Sequence, residues 1–410
     1  MKTDIDQLMQ TNGVDALLIT GAGQHNPYMV YLTGIRHLTS ADLLIKRGAA
    51  PLLFHAPMER DEAARSGLQT RSYNDYPLEP FLRRANNNRF DAVILKYKQM
   101  LSDAGVNQGK ILLYGQAEIG NIYSLLSGLQ KALPGLEFAG DIDGKILPQA
   151  MMTKDDSEIE RIRSVGKITV NVVGKVADYL AGHQARNDVL IKSDGDPLLI
   201  GDVKRQINLW LAESGLENPE GTIFSIGRDS GVPHSSGIAG DPLRLGQTIV
   251  FDIFPCEAGG GYFYDFTRTW CLGFAPDETA QLYEEVRSAY DTISRQMKAN
   301  QLYSDLQAAA CDFFEARGHP TIRNQQQTAE GYVHSIGHGV GLKVHERPFS
   351  GSTASADDFL TPGVVFTIEP GLYYPERGLG VRLEDTVCVL PGGKIEVMAP
   401  YPMDLVLPVK

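Results

Sequence analysis

The sequence contains few cysteines, and no two of them form a C-x-x-C pair. They are scattered along the 410-residue chain, at Cys256, Cys271, Cys311 and Cys388. This spacing disfavours a thiolate zinc site or a redox motif. Cys256 and Cys271 flank one predicted hairpin, where they could face each other, but isolated thiols are typical of reduced packing residues in a cytoplasmic protein.

Long apolar segments and an excess of positive charge are also missing. No run approaches the ~20 apolar residues that a membrane helix requires, and the first residues, MKTDIDQLMQ, lack the basic-then-apolar pattern of a signal peptide. The chain has 38 Lys and Arg against 50 Asp and Glu, a net charge of −12. Nucleic acids and anionic membranes bind basic surfaces, so neither is expected as the main partner. We therefore expect a cytoplasmic protein.

Several catalytic signatures are absent too. The sequence has no G-x-S-x-G nucleophile elbow, which disfavours a serine hydrolase, and no H-E-x-x-H zinc motif. The glycine-rich stretch GHGVGL is not followed by G-K-[ST], so a phosphate-binding loop is disfavoured. His334 and His338 have the spacing of a helical zinc pair, but the glycines Gly337, Gly339 and Gly341 disfavour a helix there.

A length of 410 residues is sufficient for two domains. Residues 1–150 alternate short apolar segments with polar helical stretches, a pattern that predicts a small α/β domain. Its strand segments are DALLIT, DLLIK, PLLFHA and, starting at Lys110, KILLYG. The predicted boundary lies in LPQAMMTKDD, and residues 151–410 form the second domain.

The second domain begins with an amphipathic helix. Ser157 followed by Glu160 predicts a capping box, and apolar residues recur at helical spacing, at Ile159, Ile162, Val165, Ile168, Val172 and Val176. Further helical stretches occur near 200–214, 277–299 and 301–317. Because β-rich segments lie between and after these helices, we predict an α+β domain with an antiparallel sheet covered by helices on one face.

The most informative residues are acids within apolar, β-type segments. Asp252 lies in TIVFDIF, Asp265 in YFYDFTRT, Glu369 in VVFTIEPG and Glu384 in GVRLEDTV, with His338 between the two pairs. An exposed strand face or an ordinary ion pair would explain any one of them. Four buried carboxylates together, however, repel one another unless cations lie between them. The pattern therefore predicts an enzyme that holds two divalent metal ions.

Strand geometry indicates which of these side chains share a face. The segments of Asp252 and Asp265 are joined by glycines 259–261, which predict a sharp hairpin turn. Nearly opposite residues of a hairpin bring their side chains within roughly 4.5–5.5 Å. The two aspartates are therefore expected to lie together.

The segment VRLEDT contains two neighbouring acids and an arginine. Of the neighbours Glu384 and Asp385, Glu384 is the expected inward residue. Arg382 has the same strand parity as Glu384. We expect its guanidinium to hydrogen-bond a ligand carboxylate or an anionic substrate on that face.

The order of these residues resembles that of a known family. The strings GHGVGLKVHERP, TIEPG and VRLEDT, together with Asp252 and Asp265, are similar to the motifs of the pita-bread metallopeptidases, which include methionyl aminopeptidase, aminopeptidase P and prolidase. The resemblance covers residues from about 155 to 400. The interval between the aspartates is two residues longer than is usual in the family, and the extra residues fit in the glycine turn without changing strand parity.

The resemblance implies a fold and an activity. The fold is an α+β, pita-bread catalytic domain with a curved antiparallel sheet at 151–410, preceded by a creatinase-like α/β domain at 1–150 of the kind found in the proline-specific members. The implied activity is hydrolysis of the bond between an N-terminal residue and proline in small peptides, as an Xaa-Pro dipeptidase or aminopeptidase. The alternatives are a non-proline aminopeptidase, a creatinase-like C–N hydrolase and a catalytically inactive peptide-binding module.

The same resemblance assigns roles to the candidate ligands. It implies that Asp252 binds the first ion, that His338 and Glu369 bind the second, and that Asp265 and Glu384 bridge both. Because the ligands are mainly oxygen atoms, manganese is expected, with cobalt or zinc as alternatives. The ions would generate a bridging hydroxide, and Glu369 would carry a proton to the leaving nitrogen.

Three further residues and a partner follow from the resemblance. His234 and His345 match family histidines that contact the substrate and the tetrahedral oxyanion. Arg382 would orient the metal ligands or meet a substrate carboxylate. A homodimer is also implied, with the N-terminal domain as the contact and the loop Thr33–Asp42 over the partner's active site.

Overall fold

A computed structural model describes residues 4–410 of the chain. The chain divides into two compact units. The first comprises Met1–Met151 together with Gly259–Gly261, and the second comprises Met152–Ala258 and Tyr262–Lys410. None of the helices formed by residues 4–410 combines the length and the apolar character that a membrane span requires.

The first unit is built on a six-stranded mixed sheet. Its strands are β1 (Ala16–Gly21), β2 (Ala41–Lys46), β3 (Leu52–His55), β4 (Gln69–Ser72), β5 (Gly109–Gln116) and β6 (Leu136–Gly140). Its helices are α1 (Ile5–Thr11), α2 (Pro27–Thr33), α3 (Arg60–Ala64), α4 (Leu78–Arg84), α5 (Arg89–Asp103), α6 (Ile119–Ala132) and α7 (Leu147–Met151), with short 3-10 helices at Pro57–Glu59 and Tyr73–Asp75. The strand order is β4-β3-β2-β1-β5-β6, and β1 is antiparallel to β2 and parallel to β5.

Alternate side chains of the central strands enter two separate cores. Leu17 and Leu43 pack on one face of the sheet, whereas Leu18 and Leu44 pack on the other. The sequence predicted β1, β2, β3 and β5 from their short, continuous apolar segments, which are typical of strands buried on both faces. The sequence did not predict the edge strands β4 and β6, because their segments, QTRS and LEFAG, contain few apolar residues.

The long helices of the second unit lie close to the predicted stretches. They are α8 (Asp156–Ala181), α9 (Ile200–Glu213), α10 (Asp277–Gln296) and α11 (Tyr303–Glu315). The predicted capping box at Ser157 and Glu160 is wrong, since the box is formed two residues earlier by Asp155 and Glu158. An aspartate at the N-cap satisfies the same backbone donors that were assigned to the serine.

Helix α8 packs closely against the segment that carries Asp265. A Cβ atom at Gly166, in the middle of the helix, would lie 2.5 Å from a ring carbon of Tyr264. Glycine destabilises a helix interior by about 0.5–1 kcal/mol relative to alanine, and the close approach of this ring explains why the cost is tolerated. Because Tyr264 directly precedes Asp265, the packing fixes the backbone at that position.

Antiparallel pairing dominates the sheets of the second unit. Its strands are β7 (Gln184–Arg186), β8 (Val189–Ile191), β9 (Leu216–Glu217), β10 (Thr222–Ile226), β11 (Thr248–Ile253), β12 (Cys256–Glu257), β13 (Phe266–Leu272), β14 (His338–Gly339), β15 (Glu346–Phe349), β16 (Val365–Ile368), β17 (Gly371–Tyr374), β18 (Leu379–Arg382), β19 (Asp385–Val389), β20 (Ile395–Val397) and β21 (Val406–Leu407), with 3-10 helices at Gly227–Gly231 and Pro375–Arg377. One sheet has the order β10-β11-β13-β21 and another the order β15-β14-β16-β19-β20. Only the β13–β21 pair of these two sheets is parallel among the described strands.

Candidate metal centre

Two strands of the four-stranded sheet position the aspartates. Asp252 lies in β11, and Asp265 lies one residue before β13. The register pairs Asp252 with Thr267, so Asp265, two residues earlier, presents its side chain on the same face of the sheet. The connection is longer than the sharp turn that the sequence predicted, because β12 is part of it, but its tip contains Gly259 and Gly260 with φ of 87° and 83°.

The glutamates lie at strand ends of the five-stranded sheet. Glu369 follows β16, and Glu384 precedes β19. The backbone N–H of Glu384 donates to the carbonyl of Thr267 at 3.0 Å, and the Thr267 hydroxyl donates to Glu384 Oε2 at 2.7 Å. These two hydrogen bonds join the sheets and bring the glutamate to the side that carries both aspartates.

The neighbouring Asp385 faces the opposite way. Its buried carboxylate accepts hydrogen bonds from Arg268 at 2.9 Å and from the Tyr290 hydroxyl at 2.5 Å. Glu384 is therefore the inward residue of the two, as expected from the sequence, and the two neighbours face opposite sides.

His338 lies in a glycine-rich segment that forms β14 and not a helix. A Cβ atom at Gly337 would lie 2.2 Å from the hydroxyl of Tyr303, and one at Gly339 would lie 2.2 Å from the carbonyl oxygen of Arg347. The glycines thus allow close packing around the histidine. His338 Nδ1 lies 3.2 Å from the carbonyl oxygen of Gly339 and donates to it, which leaves the lone pair on Nε2.

Three of the predicted ligands lie close enough to share a cation. Asp265, His338 and Glu384 are buried, and one ligand atom from each lies within 4.8 Å of the other two. His338 Nε2 lies 3.6 Å from Asp265 Oδ2 and 3.5 Å from Glu369 Oε1. Asp252 belongs to the same group, since its charge acts on the other three carboxylates.

Burial and mutual repulsion raise the pKa values of these carboxylates. Burial is the largest cause in each case: it raises the pKa of Glu369 to about 8, against the lowering effect of Arg382, and it raises the pKa of Asp265 and Glu384 well above their ordinary values. Asp252 adds a raising effect to the pKa of all three. Without cations, the group cannot be fully ionised at neutral pH.

Two histidines of the site, the buried His338 and the half-buried His334, are neutral at pH 7. Burial lowers the pKa of His338 to about 3, and the neighbouring His345 adds to the effect. Burial, followed by the charge of Arg382, lowers the pKa of His334 to about 3. A neutral imidazole is the form that binds a metal ion.

Two buried carboxylate oxygens of the cluster have no hydrogen-bond partner among the described residues. They are Asp252 Oδ1 and Asp265 Oδ1. A buried charged oxygen without a partner is strongly unfavourable. Together with His338 Nε2 and the carboxylates of Glu369 and Glu384, these atoms form a donor set that fits divalent ions with mainly oxygen ligands.

Arg382 fixes one of the aspartates. Its Nη2 donates to Asp252 Oδ2 at 2.5 Å, its Nη1 donates to the Tyr373 hydroxyl at 2.8 Å, and its Nε donates to Thr267 Oγ1 at 3.3 Å. All three groups are buried, so the guanidinium has little freedom to move. Its bond to a carboxylate of the cluster is the contact that the parity of Arg382 predicted.

A cavity of about 830 Å³ contains the cluster. All the predicted site residues line it: Asp252, Asp265, His338, Glu369, Glu384, Arg382, His234 and His345. The ring centroid of His345 lies 4.2 Å from that of His338, and His234 is exposed in the loop that follows the 3-10 helix Gly227–Gly231. The structure therefore brings the whole predicted set together.

Two residues of the site were not predicted. His334 was considered only as a helical zinc partner of His338, and Tyr373 not at all. His334 Nδ1 donates to the Ser335 carbonyl at 2.7 Å, so its Nε2 accepts from the Tyr373 hydroxyl at 2.8 Å. His334 Nδ1 also lies 3.8 Å from Glu369 Oε2. The sequence could have indicated His334 through its position in the same segment as His338, whereas nothing in the sequence indicated Tyr373.

An α+β unit whose antiparallel sheets gather buried carboxylates and a neutral imidazole around one cavity has the architecture of a pita-bread metallopeptidase. The agreement extends to the sequence. The chain belongs to metallopeptidase family M24, whose family model matches residues 160–391. The family and the fold class that the motifs predicted are confirmed.

Similar proteins match part or most of the chain. A probable dipeptidase, PepE, from Mycobacterium tuberculosis is 31% identical over 252 residues, so the match spans 62% of this chain and only 60% of that protein's length. An Xaa-Pro dipeptidase from Pyrococcus horikoshii is 26% identical over 393 residues, which are 95% of this chain and 94% of that protein. A solved structure of a dipeptidase from Pyrococcus horikoshii has a TM-score of 0.75 at 21% identity and covers 98% of each chain, which shows the common fold.

Proposed function

We propose that this protein is a metal-dependent exopeptidase that hydrolyses the peptide bond between an N-terminal residue and a following proline. The observation that carries the proposal is the cavity in which four carboxylates and a neutral imidazole meet, because such a donor set suits a pair of divalent ions. Membership of metallopeptidase family M24 supports peptide-bond hydrolysis. The similarity to an Xaa-Pro dipeptidase over 95% of the chain supports proline at the second position.

In this proposal, five side chains hold two divalent ions, manganese ahead of cobalt or zinc: Asp252, Asp265, His338, Glu369 and Glu384. When bound, such a pair supplies a water of lowered pKa and a polarised substrate carbonyl. The unpartnered oxygens of the two aspartates would gain their partners. Cysteine plays no part, since the described cysteines are buried, free and outside the lining of the cavity.

The remaining chemistry is supplied by groups of the chain itself. Glu369 accepts a proton at a carboxylate oxygen and delivers it to the proline nitrogen as the peptide bond breaks. His345 and His234 line the same cavity and offer ring N–H donors to the substrate carbonyl. Arg382 holds the Asp252 carboxylate in place and is a positioning residue.

Proline at the second position suits the wall of the cavity. The nitrogen of an Xaa-Pro bond carries no hydrogen, so the site needs no acceptor for it. Ile223, Phe254 and Phe349 line the cavity and offer an apolar surface to the pyrrolidine ring. Burial of that ring contributes roughly 25 cal/mol for each Å² of apolar area removed from water.

Lys204 is the proposed anchor for the carboxylate at the end of a dipeptide. Among the described residues that line the cavity, only Lys204 and Arg382 carry a fixed positive charge, and Arg382 is already bonded to Asp252. Lys204 Nζ donates to the carbonyl of Ser236, a neutral acceptor, and has further hydrogens to donate. An ion pair at this position would favour dipeptides over longer substrates.

The experiment compares Ala-Pro with Ala-Pro-Pro-Ala after chelation and return of manganese. Cleavage of the dipeptide alone would identify an Xaa-Pro dipeptidase, and cleavage of the longer peptide would identify an Xaa-Pro aminopeptidase. Ions bound without turnover of either peptide would contradict the proposal and favour a peptide-binding module. Turnover of creatine instead would indicate a C–N hydrolase.

A dipeptidase without proline preference is the second candidate. It is favoured by the similarity to PepE of Mycobacterium tuberculosis, a probable dipeptidase whose name specifies no proline. The ratio of kcat/KM for Ala-Pro to that for Ala-Ala separates the two activities. The main proposal predicts a ratio of roughly ten or more, because the apolar wall contacts the proline ring, whereas a ratio near one would favour the second candidate.

We also propose that the first unit is the creatinase-like domain of a homodimer, in which the segment Thr33–Asp42 covers the partner's active site. The segment runs from the end of α2 into β2 and contains Arg36 and His37. Exchange of both residues for alanine should then change activity and the preference for peptide length. A monomer in sedimentation, or an unchanged length preference, would contradict this arrangement.

A further inference from the structure

The first unit contains a cavity that peptide hydrolysis does not use. Its volume is about 300 Å³, at the lower end of the range for small-molecule sites. One wall is a face of the sheet, through Leu18, Thr20, Asp42, Leu113 and Gly115. The other wall is formed by Tyr97 of α5 and by α6, through Ile119, Ile122, Leu125 and Leu126.

Asp42 is the unusual residue of this cavity. It lies in β2, paired with Thr20 of β1, and is 2% exposed. Its Oδ2 accepts hydrogen bonds from the hydroxyls of Tyr73 at 2.8 Å and Tyr97 at 2.9 Å. Its Oδ1 is buried and has no hydrogen-bond partner. One oxygen of the carboxylate thus accepts two hydrogen bonds, whereas the other has no hydrogen-bond partner among the described residues.

No residue of the first unit from Asp4 onward donates a hydrogen bond to Asp42 Oδ1. Within its described residues, the buried side-chain atoms without a partner are Asp42 Oδ1 and Glu59 Oε2, and Glu59 does not line the cavity. Lys96 interacts with Asp42 through its charge, but its ammonium lies over the ring of Tyr73, 4.3 Å from the centroid, and forms no ion pair with the carboxylate. An unpaired carboxylate oxygen beside apolar side chains is strongly unfavourable.

We propose that this cavity binds a small primary amine with an apolar body, whose ammonium group pairs with Asp42 Oδ1. The carboxylate supplies the counter-charge, and the two tyrosine hydroxyls hold it in place through its other oxygen. The leucine and isoleucine side chains of the cavity cover the apolar body. The lining contains no lysine or arginine, so a free amino acid would leave its own carboxylate unpaired and binds less well than an amine.

Asparagine at position 42 separates this role from a structural one. If Asp42 served only to support Tyr73 and Tyr97, an asparagine oxygen would accept both hydroxyls equally well. Asp42→Asn therefore keeps the packing, removes the charge and places an N–H₂ group where Oδ1 stood. A purely structural role leaves ligand binding unaffected by this exchange.

Calorimetric titration of the full chain in the presence of a chelator tests the proposal, since chelation keeps amines from metal ions in the second unit. The probes are benzylamine, benzyl alcohol and phenylalanine. We expect one benzylamine per chain, bound roughly tenfold or more tightly than either of the other two. Asp42→Asn should weaken the binding of benzylamine roughly tenfold or more without weakening the binding of benzyl alcohol. Leu125→Trp, which fills the cavity, should abolish the binding of both.

Activity provides the control for folding. Cleavage of Ala-Pro by the manganese-loaded Leu125→Trp variant should equal that of the wild type. For Asp42→Asn, which lies at the end of the segment Thr33–Asp42, an unchanged near-UV circular dichroism spectrum provides this control. Equal affinity for benzylamine and benzyl alcohol would overturn the proposal, as would unchanged benzylamine affinity in either variant. Absence of saturable benzylamine binding to the wild type would overturn it as well.

Discussion

Arg382 Nη2 donates to Asp252 Oδ2 at 2.5 Å, although the two residues are 130 positions apart in the chain. Their side chains are only 3% and 11% exposed. The pairing neutralises one carboxylate of the cluster and turns its other oxygen, Oδ1, into a buried atom without a partner. In the proposed metal site, Arg382 would hold the Asp252 carboxylate and leave Oδ1 for a cation.

Tyr373→Phe should lower both stability and kcat. The Tyr373 hydroxyl accepts from Arg382 and donates to His334 Nε2, each at 2.8 Å. Its removal takes one hydrogen bond from the buried Arg382 and one from the half-buried His334, and a lost partner of this kind typically costs about 1–3 kcal/mol of unfolding free energy. Since His334 also lies near Glu369, kcat on Ala-Pro should fall as well. Urea unfolding and steady-state kinetics measure the two effects.

Tyr374→Phe is the matched control. The Tyr374 hydroxyl forms a hydrogen bond with His319 Nδ1 at 2.5 Å, and His319 does not line the cavity, unlike Arg382 and His334, the partners of Tyr373. This variant should lose stability by a comparable amount and keep the kcat of the wild type. Equal losses of kcat in the two variants would contradict a role for Tyr373 in positioning the site.

Glu384→Gln should preserve or raise the unfolding temperature of the ion-free protein, and should reduce the increase in unfolding temperature that manganese produces. Burial, then repulsion from Asp265 and Glu369, raises the pKa of Glu384, so its charge is unfavourable in the ion-free protein. The variant should therefore unfold at an equal or higher temperature than the wild type in chelator, and should gain less from added manganese, because ligands stabilise in proportion to their affinity. Glu376→Gln, on the exposed surface, should change neither value. If manganese raised the unfolding temperature of Glu384→Gln as much as that of the wild type, Glu384 would be excluded as a ligand.

The stability of the ion-free protein should fall as pH rises between about 6.5 and about 8. The ordinary pKa of Glu369 is 4.5, and in the folded protein it is about 8. Between these values the folded state keeps a proton that the unfolded state has lost, so the free energy of unfolding decreases as pH rises. Below pH 6.5 the effect is opposed by His334 and His338, whose pKa values fall from 6.5 to about 3 on folding and which therefore add stability as pH rises.

Urea unfolding at several pH values, with chelator and with manganese, measures this dependence. In chelator, Glu369→Gln should reduce the decrease of the free energy of unfolding with rising pH. Bound manganese should remove this decrease, because cations favour the ionised carboxylates. A stability that rises between pH about 6.5 and about 8 in chelator would contradict the description of the cluster.

Lys204→Gln should weaken the recognition of dipeptides selectively. If the Lys204 ammonium pairs with the substrate carboxylate, the variant should lose roughly ten- to a hundredfold in kcat/KM on Ala-Pro. It should lose little on Ala-Pro amide, which has no carboxylate. Lys167→Gln, at an exposed position of α8, should leave both substrates unaffected. Equal losses on Ala-Pro and its amide would assign Lys204 a different role.

Much of the site followed from the sequence because its carboxylates stand among apolar residues. Strand parity put Glu384 and Asp385 on opposite faces and put Arg382 on the face of Glu384, since successive residues of a strand face opposite sides. Parity predicted that Arg382 would bond a carboxylate of the cluster, but not that the carboxylate would be that of Asp252, because pairing across 130 residues depends on how two sheets meet. Tyr373 was missed because an aromatic residue in an apolar segment is more often part of a core.

Local signals were ambiguous elsewhere. The segment before α8 offers Asp155 and Ser157 as N-cap residues, and both are good caps, so the choice of Ser157 was wrong by two positions. The edge strands β4 and β6 have few apolar residues, because an edge strand buries less of its surface than a central one. The sequence also gave no indication of the cavity beside Asp42, since a single aspartate after a loop is normally exposed.

Metal analysis of the purified protein, coupled to its activity on Ala-Pro, tests the central claim most directly. Chelation should abolish activity, and manganese titrated back should restore it as two ions bind to each chain. Asp265→Asn and Glu384→Gln should bind fewer ions and remain inactive. Full activity in protein that contains no bound metal ion would contradict the account.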